Sequence, residues 1–174
     1  MAKYSNRSKS KLNSADSDLQ KLYNYVIKSY DNSISFGRRL PNEQFEIYKR
    51  GRTQVDTGKW IKTGQVATYK DGFEKLSKHN YDPSKAVDSW VYPIDLGLIS
   101  EIEDYFRSKG TQKISLDTIL EFARQVLYAG YVLGVAQVLK DNGEISSDIE
   151  WGGDWNNNKK FDESFVDLPH FQKK

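Results

Sequence analysis

Apolar residues recur at helical spacing in the first part of the chain. Between residues 14 and 30 they fall three and four positions apart, and Ser14 can cap the first turn, so this segment predicts a packing helix. A short apolar stretch, residues 33–36, is typical of a strand. Pro41 suits the first turn of a second helix, which Gly51 ends.

The pattern changes between Gly51 and Lys85, where apolar residues are few and Gly, Thr and Lys are frequent. A long irregular stretch inside a compact domain is usually functional or disordered. Residues 86–92 then alternate in polarity and predict a strand. This strand directs Asp88 to one face, while Val87 and Val91 fill the other.

Two helices are predicted next, a short one over residues 101–109 and the longest one from Ser115 to about Lys140. Strands are predicted over residues 148–151 and 165–171. Strands on both sides of the long helix, without regular strand–helix alternation, favour an α+β fold with a small antiparallel sheet packed with helices. We expect a single domain over residues 1–174, since this length supplies one well-buried core.

The long helix has a broad apolar face, and we expect it to be the central scaffold of the fold. Its apolar positions are Ile119, Leu120, Phe122, Ala123, Val126, Leu127, Leu133, Ala136 and Leu139. Gly130 and Gly134 are interpreted as close-packing positions and not as a membrane motif, because charged residues flank and interrupt the segment.

Composition limits the metal ligands and the classes of partner that are possible. The chain has no cysteine, so a metal can be held only by His and carboxylate side chains. Net charge is +2 and the sequence pI is about 8.6, which is weaker than the basic stripe typical of nucleic-acid binding. No run resembles a secretory signal or a membrane span. We therefore expect no nucleic-acid or membrane partner, a monomer, and synthesis in the cytoplasm.

The chain has only two histidines, and each lies near an acid. His79 precedes Asp88 by nine residues, and His170 follows Asp167 by three. A catalytic zinc site needs three protein ligands and one open position, which two histidines and one aspartate fill. An isolated His near an Asp is, however, more often a surface or capped histidine, so the residues alone leave both interpretations open.

Several segments together resemble the M15 metallopeptidases, which include D-Ala-D-Ala carboxypeptidases and dipeptidases and L-alanyl-D-glutamate endopeptidases of phage endolysins. The resemblance covers nearly the whole chain and rests on residues 77–88, on Trp151-Gly152-Gly153-Asp154-Trp155, on Asp167-Leu168-Pro169-His170-Phe171, on Gly37-Arg38-Arg39 with Pro41-Asn42-Glu43-Gln44, and on residues 47–53. One departure is the longer step from His79 to Asp88, in which Pro83-Ser84 replaces the family's glycine. The resemblance implies the VanY-like and Hedgehog-like peptidase fold.

The resemblance also implies a role for each site residue. His79, Asp88 and His170 are the expected Zn²⁺ ligands, Asp167 the general base, and Arg39 the cation that faces the scissile carbonyl. Residues three apart on a straight strand point to opposite faces, so Asp167 and His170 can share a site only if Pro169 bends the segment or the strand begins after it. Arg38 is the alternative to Arg39. The substrate-binding candidates are Ser77, Gln44 and Trp151, and Trp151 and Trp155 are equally compatible with the core.

The function implied is a zinc-dependent peptidoglycan peptidase of the endolysin type that cleaves the peptide stem, with the L-alanyl-D-glutamate bond as the first choice. One alternative is a D,D-carboxypeptidase or dipeptidase of the same fold. Another is a catalytically silent phage structural or binding module. The enzyme would be made without a signal peptide in the cytoplasm of the host cell and would act on the cell wall after release.

Overall fold

The computed structural model of the chain describes residues 2–163 and 165–174. Five helices and six strands follow one another in these residues. They are α1 (Asn6–Asn13), α2 (Ser17–Val26), β1 (Asn32–Phe36), α3 (Pro41–Tyr48), β2 (Arg52–Gln54), β3 (Trp60–Lys62), β4 (Ala86–Val91), α4 (Leu96–Arg107), α5 (Leu116–Asp141), β5 (Ile149–Trp151) and β6 (His170–Lys173). A turn of 3₁₀ helix, Lys78–Asn80, lies before β4.

The main sheet has four strands in the order β1-β4-β6-β5, and every neighbouring pair is antiparallel. β4 lies inside the sheet, where Asp88 is opposite Phe36 on one side and His170 on the other. β2 and β3 form a separate hairpin inside the stretch that the sequence left irregular. The prediction of an α+β fold with a small antiparallel sheet is therefore confirmed.

One face of β4 builds the core and the other builds the site. Val87 and Val91 are buried with Phe171 of β6 in a cluster that also takes in apolar side chains of α1, α2 and α5. Asp88 alternates with them and points to the opposite face, as the predicted strand requires. A short central strand thus holds one carboxylate rigidly against a packed core.

Three local predictions differ from the structure. Helix α1 was not predicted, because its sequence is mostly polar; Ser5 caps it by accepting a hydrogen bond from the Ser8 amide. The next helix is capped by Asp16 and not by Ser14. The last strand begins at His170, so its predicted first half, residues 165–169, has no strand structure where it is described.

Helix α5 buries a different face from the one predicted. Its buried residues are Thr118, Glu121, Gln125, Tyr128, Ala129, Val132, Ala136 and Leu139. Of the predicted apolar face, Ile119, Leu120, Ala123 and Leu127 are exposed. The close-packing interpretation of Gly130 and Gly134 is wrong within the chain, since a Cβ at either position would meet nothing within 4 Å.

By length and composition alone, α5 is apolar enough to cross a bilayer, with a mean hydropathy of 1.2 over its best window. The same test is passed by core helices of water-soluble proteins. Its inner face packs against α2, α4, β4 and β5, so the helix is an integral part of the fold.

Candidate metal centre

His79 is fixed by its backbone and by one ring nitrogen. It lies in the 3₁₀ turn, where its amide donates to Ser77 Oγ, and its carbonyl accepts from the amide of Arg39 at 2.8 Å. Its Nδ1 lies 2.6 Å from the carbonyl oxygen of Gly37. Because a carbonyl can only accept, Nδ1 carries the proton in the neutral ring, and Nε2 presents a lone pair.

His170 is oriented in the same way from the other side. Its Nε2 lies 3.0 Å from Gln172 Oε1, and the amide nitrogen of Gln172 donates to Glu150 Oε2 at 2.8 Å. The carboxylate of Glu150 fixes which end of the Gln172 amide faces the histidine. Nε2 of His170 therefore carries the proton, and Nδ1 presents its lone pair to the site.

These two nitrogens and one oxygen of Asp88 form a small triangle. His79 Nε2 lies 3.0 Å from Asp88 Oδ1 and 3.2 Å from His170 Nδ1, and the third edge, from His170 Nδ1 to Asp88 Oδ1, is 3.1 Å. All three residues are buried. Bond lengths of about 2.0–2.1 Å in a tetrahedral zinc site place ligand atoms roughly 3.3 Å apart, close to these edges.

Three converging lone pairs need a cation or extra protons between them. With both outer ring nitrogens committed as donors, the neutral histidines have no proton left for the triangle. The residues therefore fit a divalent metal ion, and the group His79, Asp88 and His170 could hold one. The sequence prediction brought together these same three residues.

Without an ion, protons must supply the missing positive charge. Burial opposes the charged form of His170, but its hydrogen bond to Asp88 and the charge of Asp167 outweigh this and raise its pKa to about 9. Burial likewise opposes the charge of Asp88, yet the two histidines hold its pKa well below the ordinary value. The site thus strongly favours a positive charge at its centre.

Asp167 lies beside this triangle because the chain turns at Pro169. The amide of His170 donates to the carbonyl of Asp167 at 3.1 Å, which closes a turn over Leu168 and Pro169. This is the bend that the sequence required for the two side chains to share a site. Burial and the nearby charge of Asp88 raise the pKa of Asp167, although His170 acts in the opposite sense.

Gly152 and Gly153 allow the segment around Asp167 to lie close to the end of β5. The amide of Asp167 donates to the carbonyl of Gly152 at 2.8 Å, and a Cβ on Gly152 would lie only 2.5 Å from the carbonyl oxygen of Asp167. A Cβ on Gly153 would meet the ring of Trp151 at 2.4 Å. The Gly152-Gly153 pair is therefore needed for packing around Asp167.

Arg39, and not Arg38, enters the site. Its Nη2 lies 3.4 Å from Asp88 Oδ2, its Nη1 donates to Gln44 Oε1 at 2.8 Å, and its guanidinium stacks on Phe36 at 4.8 Å. Arg38 points to the surface, where it pairs with Asp82 at 2.7 Å. The structure therefore resolves the choice between the two arginines in position, and Arg39 lines the cleft.

The three predicted substrate-binding residues are placed differently from one another. Ser77 lines the cleft, but its hydroxyl also caps the turn of His79. Gln44 is fully buried and bonded on both sides, to Arg39 and to the carbonyl of Lys70 at 2.9 Å, so it supports the site instead of facing a substrate.

Trp151 does not line the cleft, contrary to its prediction as a substrate-binding residue. Its ring is 5% exposed within the core, and its Nε1 donates to the carbonyl of Leu168 at 2.7 Å, so it braces the turn from behind. Trp155 lines the cleft instead, with its ring 5.4 Å from that of His170. The sequence could not distinguish the two tryptophans, because the position of each is decided by its tertiary contacts.

The cleft over the triangle has a volume of about 480 Å³. Sequence reasoning missed most of its outer wall, which comes from the irregular 65–81 stretch and from the segment before β6. Its lining residues include Thr68, Tyr69, Lys70, Leu76, Lys78, Tyr81, Phe165 and Gln172. Chain topology brings them together, and no local pattern marks them.

The chain is similar to a curated protein, the peptidoglycan L-alanyl-D-glutamate endopeptidase CwlK of Bacillus subtilis (strain 168). The two are 31% identical over 145 residues, which are 83% of this chain and 62% of CwlK. This similarity supports the resemblance to the M15 peptidases. The chain spans about three fifths of the length of CwlK.

Among solved structures, the chain is similar to the crystal structure of the Serratia marcescens L-Ala D-Glu endopeptidase ChiX. The two share 19% sequence identity with a TM-score of 0.48, over 99% of this chain and 90% of that one. No protein-family model matches the chain.

Proposed function

We propose that this chain is a zinc-dependent peptidase that cleaves the L-alanyl-D-glutamate bond of peptidoglycan stem peptides. The observation that carries the proposal is the convergence of three ligand lone pairs with Asp167 and Arg39 at the floor of one cleft. The choice of bond is supported by the similarity to CwlK, which is named an L-alanyl-D-glutamate endopeptidase and matches 83% of this chain.

His79, Asp88 and His170 would hold the ion, and their two nitrogens and one oxygen are donors that Zn²⁺ accepts. When bound, such an ion supplies a Lewis acid that polarises a carbonyl group and lowers the pKa of water. Gly37 and Gln172 hold the outer ring nitrogens, which keeps both imidazoles in the tautomer that a metal needs.

Asp167 would act as the general base. Its raised pKa lets the carboxylate accept a proton from the attacking water and then release it to the departing amine. Arg39 carries a permanent positive charge to the same cleft, where it would stabilise negative charge that develops on the carbonyl oxygen of the scissile bond.

The cleft suits an extended, acidic peptide. Trp155 and Tyr81 offer aromatic surface beside the triangle, and Lys70 and Lys78 add two positive charges to that of Arg39. A stem peptide carries free carboxylates near the bond to be cut, so cationic walls would raise its local concentration.

Digestion of purified sacculi tests the proposal. We expect the zinc-loaded protein to release peptides whose new N-terminal residue, identified by mass spectrometry, is D-glutamate. Release of free D-alanine without new D-glutamate termini would instead indicate a D,D-carboxypeptidase. A folded, zinc-loaded protein that releases nothing would indicate a silent binding module.

The neighbouring residues Arg38 and Arg39 provide a matched pair of variants for that assay. Arg39→Ala should lose most of the activity, whereas Arg38→Ala, which changes only the surface pair with Asp82, should retain it. Zinc content, measured on protein purified without chelators, checks the ligand set separately. Phage origin and a role in lysis remain predictions from the resemblance.

A further inference from the structure

The outward face of α5 carries a continuous apolar stripe that nothing in the described part of the chain covers. Its residues follow one another at intervals of three and four, which places them along one side of the helix. This outer stripe consists of Leu116, Leu120, Ala123, Leu127, Gly130, Gly134 and Val138, all of them exposed. Leu116 and Leu127 are each 69% exposed.

The stripe is also free of charge. From Gln125 to Leu139 the helix contains no acidic or basic residue. Most exposed helix faces are polar, and the largest apolar patch on a monomer is often functional. An uncovered stripe of this length therefore indicates a surface that is covered when the protein works.

We propose that the outer stripe is the interface of a symmetric dimer in which α5 packs antiparallel against α5 of a second copy. The sequence of the stripe supports this arrangement, because its leucines lie in the first half and its glycines in the second. A two-fold axis at Leu127 places Leu120 against the partner's Gly134 and Leu116 against the partner's Val138. Leu120 then meets a residue without a side chain, Leu127 meets its own copy at the axis, and Leu116 packs against another aliphatic side chain.

A depression lies where this arrangement needs one. It has a volume of about 360 Å³ and is lined by apolar side chains and by Gly134, with Tyr25 of α2 and Tyr131 at its sides. Leu120 of the partner subunit would enter it. The missing side chains of Gly130 and Gly134 let two helix backbones approach closely, and this gives the two glycines the packing role that they lack within one chain.

The area available is that of a modest dimer interface. Burying a large aliphatic side chain removes on the order of 100 Å² from water, so the four in the stripe, Leu116, Leu120, Leu127 and Val138, offer roughly 400 Å² per copy. A stable interface buries about 800 Å² per partner, and the exposed Ile119 and Tyr25 beside the stripe, with half-buried Tyr131 and Val135, extend the contact towards that area.

A membrane fits the stripe less well than a second copy. The inner face of α5 is packed into the fold through buried Glu121 and Gln125, so the helix cannot leave it to cross a bilayer. Helices that lie on a bilayer surface carry many Lys and Arg along their polar side. This helix carries Arg124 and Lys140 alone, and each is already paired with an acid of the same chain.

Single-cysteine cross-linking tests the geometry, because the chain has no cysteine of its own. Leu127→Cys should form a disulfide-linked dimer under mild oxidation, since the axis places the two residues opposite each other. Leu116→Cys should not, because antiparallel packing separates the two copies of residue 116 by about 33 Å. Failure of Leu127→Cys to cross-link overturns the proposal, and efficient cross-linking of Leu116→Cys overturns the antiparallel arrangement.

Sedimentation of the full chain tests the association. We expect a dimer for the wild type and a dissociation constant raised at least about 10-fold by Leu127→Glu. Ile61→Glu, a matched change at an exposed residue of β3, should leave the dimer intact. A wild-type monomer at all concentrations overturns the proposal, as does a monomer that binds phosphatidylglycerol vesicles through Leu127.

Discussion

Gln44 offers a sharp test of how the site is held. It is fully buried on α3, and its side chain joins the guanidinium of Arg39 to the cleft wall. Oε1 accepts from Arg39 Nη1 at 2.8 Å, while Nε2 donates to the carbonyl of Lys70 at 2.9 Å and lies 3.4 Å from Thr68 Oγ1. Replacing Gln44 by methionine keeps the shape and removes every one of these bonds.

The magnitude follows from the bonds lost. A hydrogen bond to a charged group contributes about 1.5–3 kcal/mol and a neutral one about 0.5–1.5 kcal/mol, so Gln44→Met should lower the free energy of unfolding by about 2–4 kcal/mol. Arg39 would keep only its long contact with Asp88 and its stacking on Phe36. A displacement of roughly 1 Å in a catalytic group can cost about 100-fold in rate, so we expect kcat to fall about 10-fold to 100-fold.

The assay compares kcat on stem peptides with unfolding by urea. Gln125→Met is the matched control, because Gln125 is equally buried and bonds Glu121 on α5, away from the cleft. Both variants should lose stability, but only Gln44→Met should lose kcat while its zinc content stays normal. If Gln44→Met keeps wild-type kcat at a temperature where it is fully folded, Gln44 does not position Arg39.

Three further predictions concern the base, the turn and the fold. Asp167→Asn should keep zinc and lose at least about 100-fold in kcat, whereas His170→Ala should lose both, and normal activity in either variant would remove that residue from the site. Gly152→Ala should lower kcat and the melting temperature together, because the new Cβ would lie 2.5 Å from the carbonyl oxygen of Asp167; an unchanged melting temperature would show that the turn can move. Asp18→Asn should lower the free energy of unfolding by about 2–4 kcal/mol, since one carboxylate oxygen accepts hydrogen bonds from Ser146 and Ser147. Burial alone would raise the pKa of Asp18, but those bonds lower it below the ordinary value of 3.8. The stabilisation by Asp18 is therefore full above pH 3.8 and is lost as the pH falls below it. A difference in unfolding free energy between wild type and Asp18→Asn that stays constant far below pH 3.8 would contradict this role.

The three residues that could hold a metal were predicted together because few residues compete for the role. With two histidines and no cysteine, the choice of nitrogen donors was already made by composition, and the strand pattern placed Asp88 on a face opposite Val87. Because the resemblance puts Asp167 and His170 in one site and a straight strand would separate them, a bend at Pro169 or a strand that begins after it was also foreseeable. Composition and the strand pattern limited the choice at these positions, and the resemblance to the M15 peptidases decided it.

The supporting residues could not be predicted, because their partners are distant in sequence. Gln44 bonds the carbonyl of Lys70, 26 residues away, and nothing in the helix around Gln44 indicates that partner. Trp151 and Trp155 have the same local context, yet one braces Leu168 in the core and the other lines the cleft. A tertiary contact decides each case, and periodicity carries no information on it.

The error at α5 has a different cause and a consequence for the molecule as a whole. Apolar periodicity identifies faces that are covered, but it does not say whether the same chain covers them. The buried face of α5 includes Glu121 and Gln125, which bond each other, while Leu120 and Leu127 remain outside. A helix with apolar residues on nearly all sides is normally enclosed. The sequence therefore predicted burial correctly if a second copy completes the enclosure, and the cross-linking of Leu127→Cys decides between that explanation and a simple misassignment of the helix face.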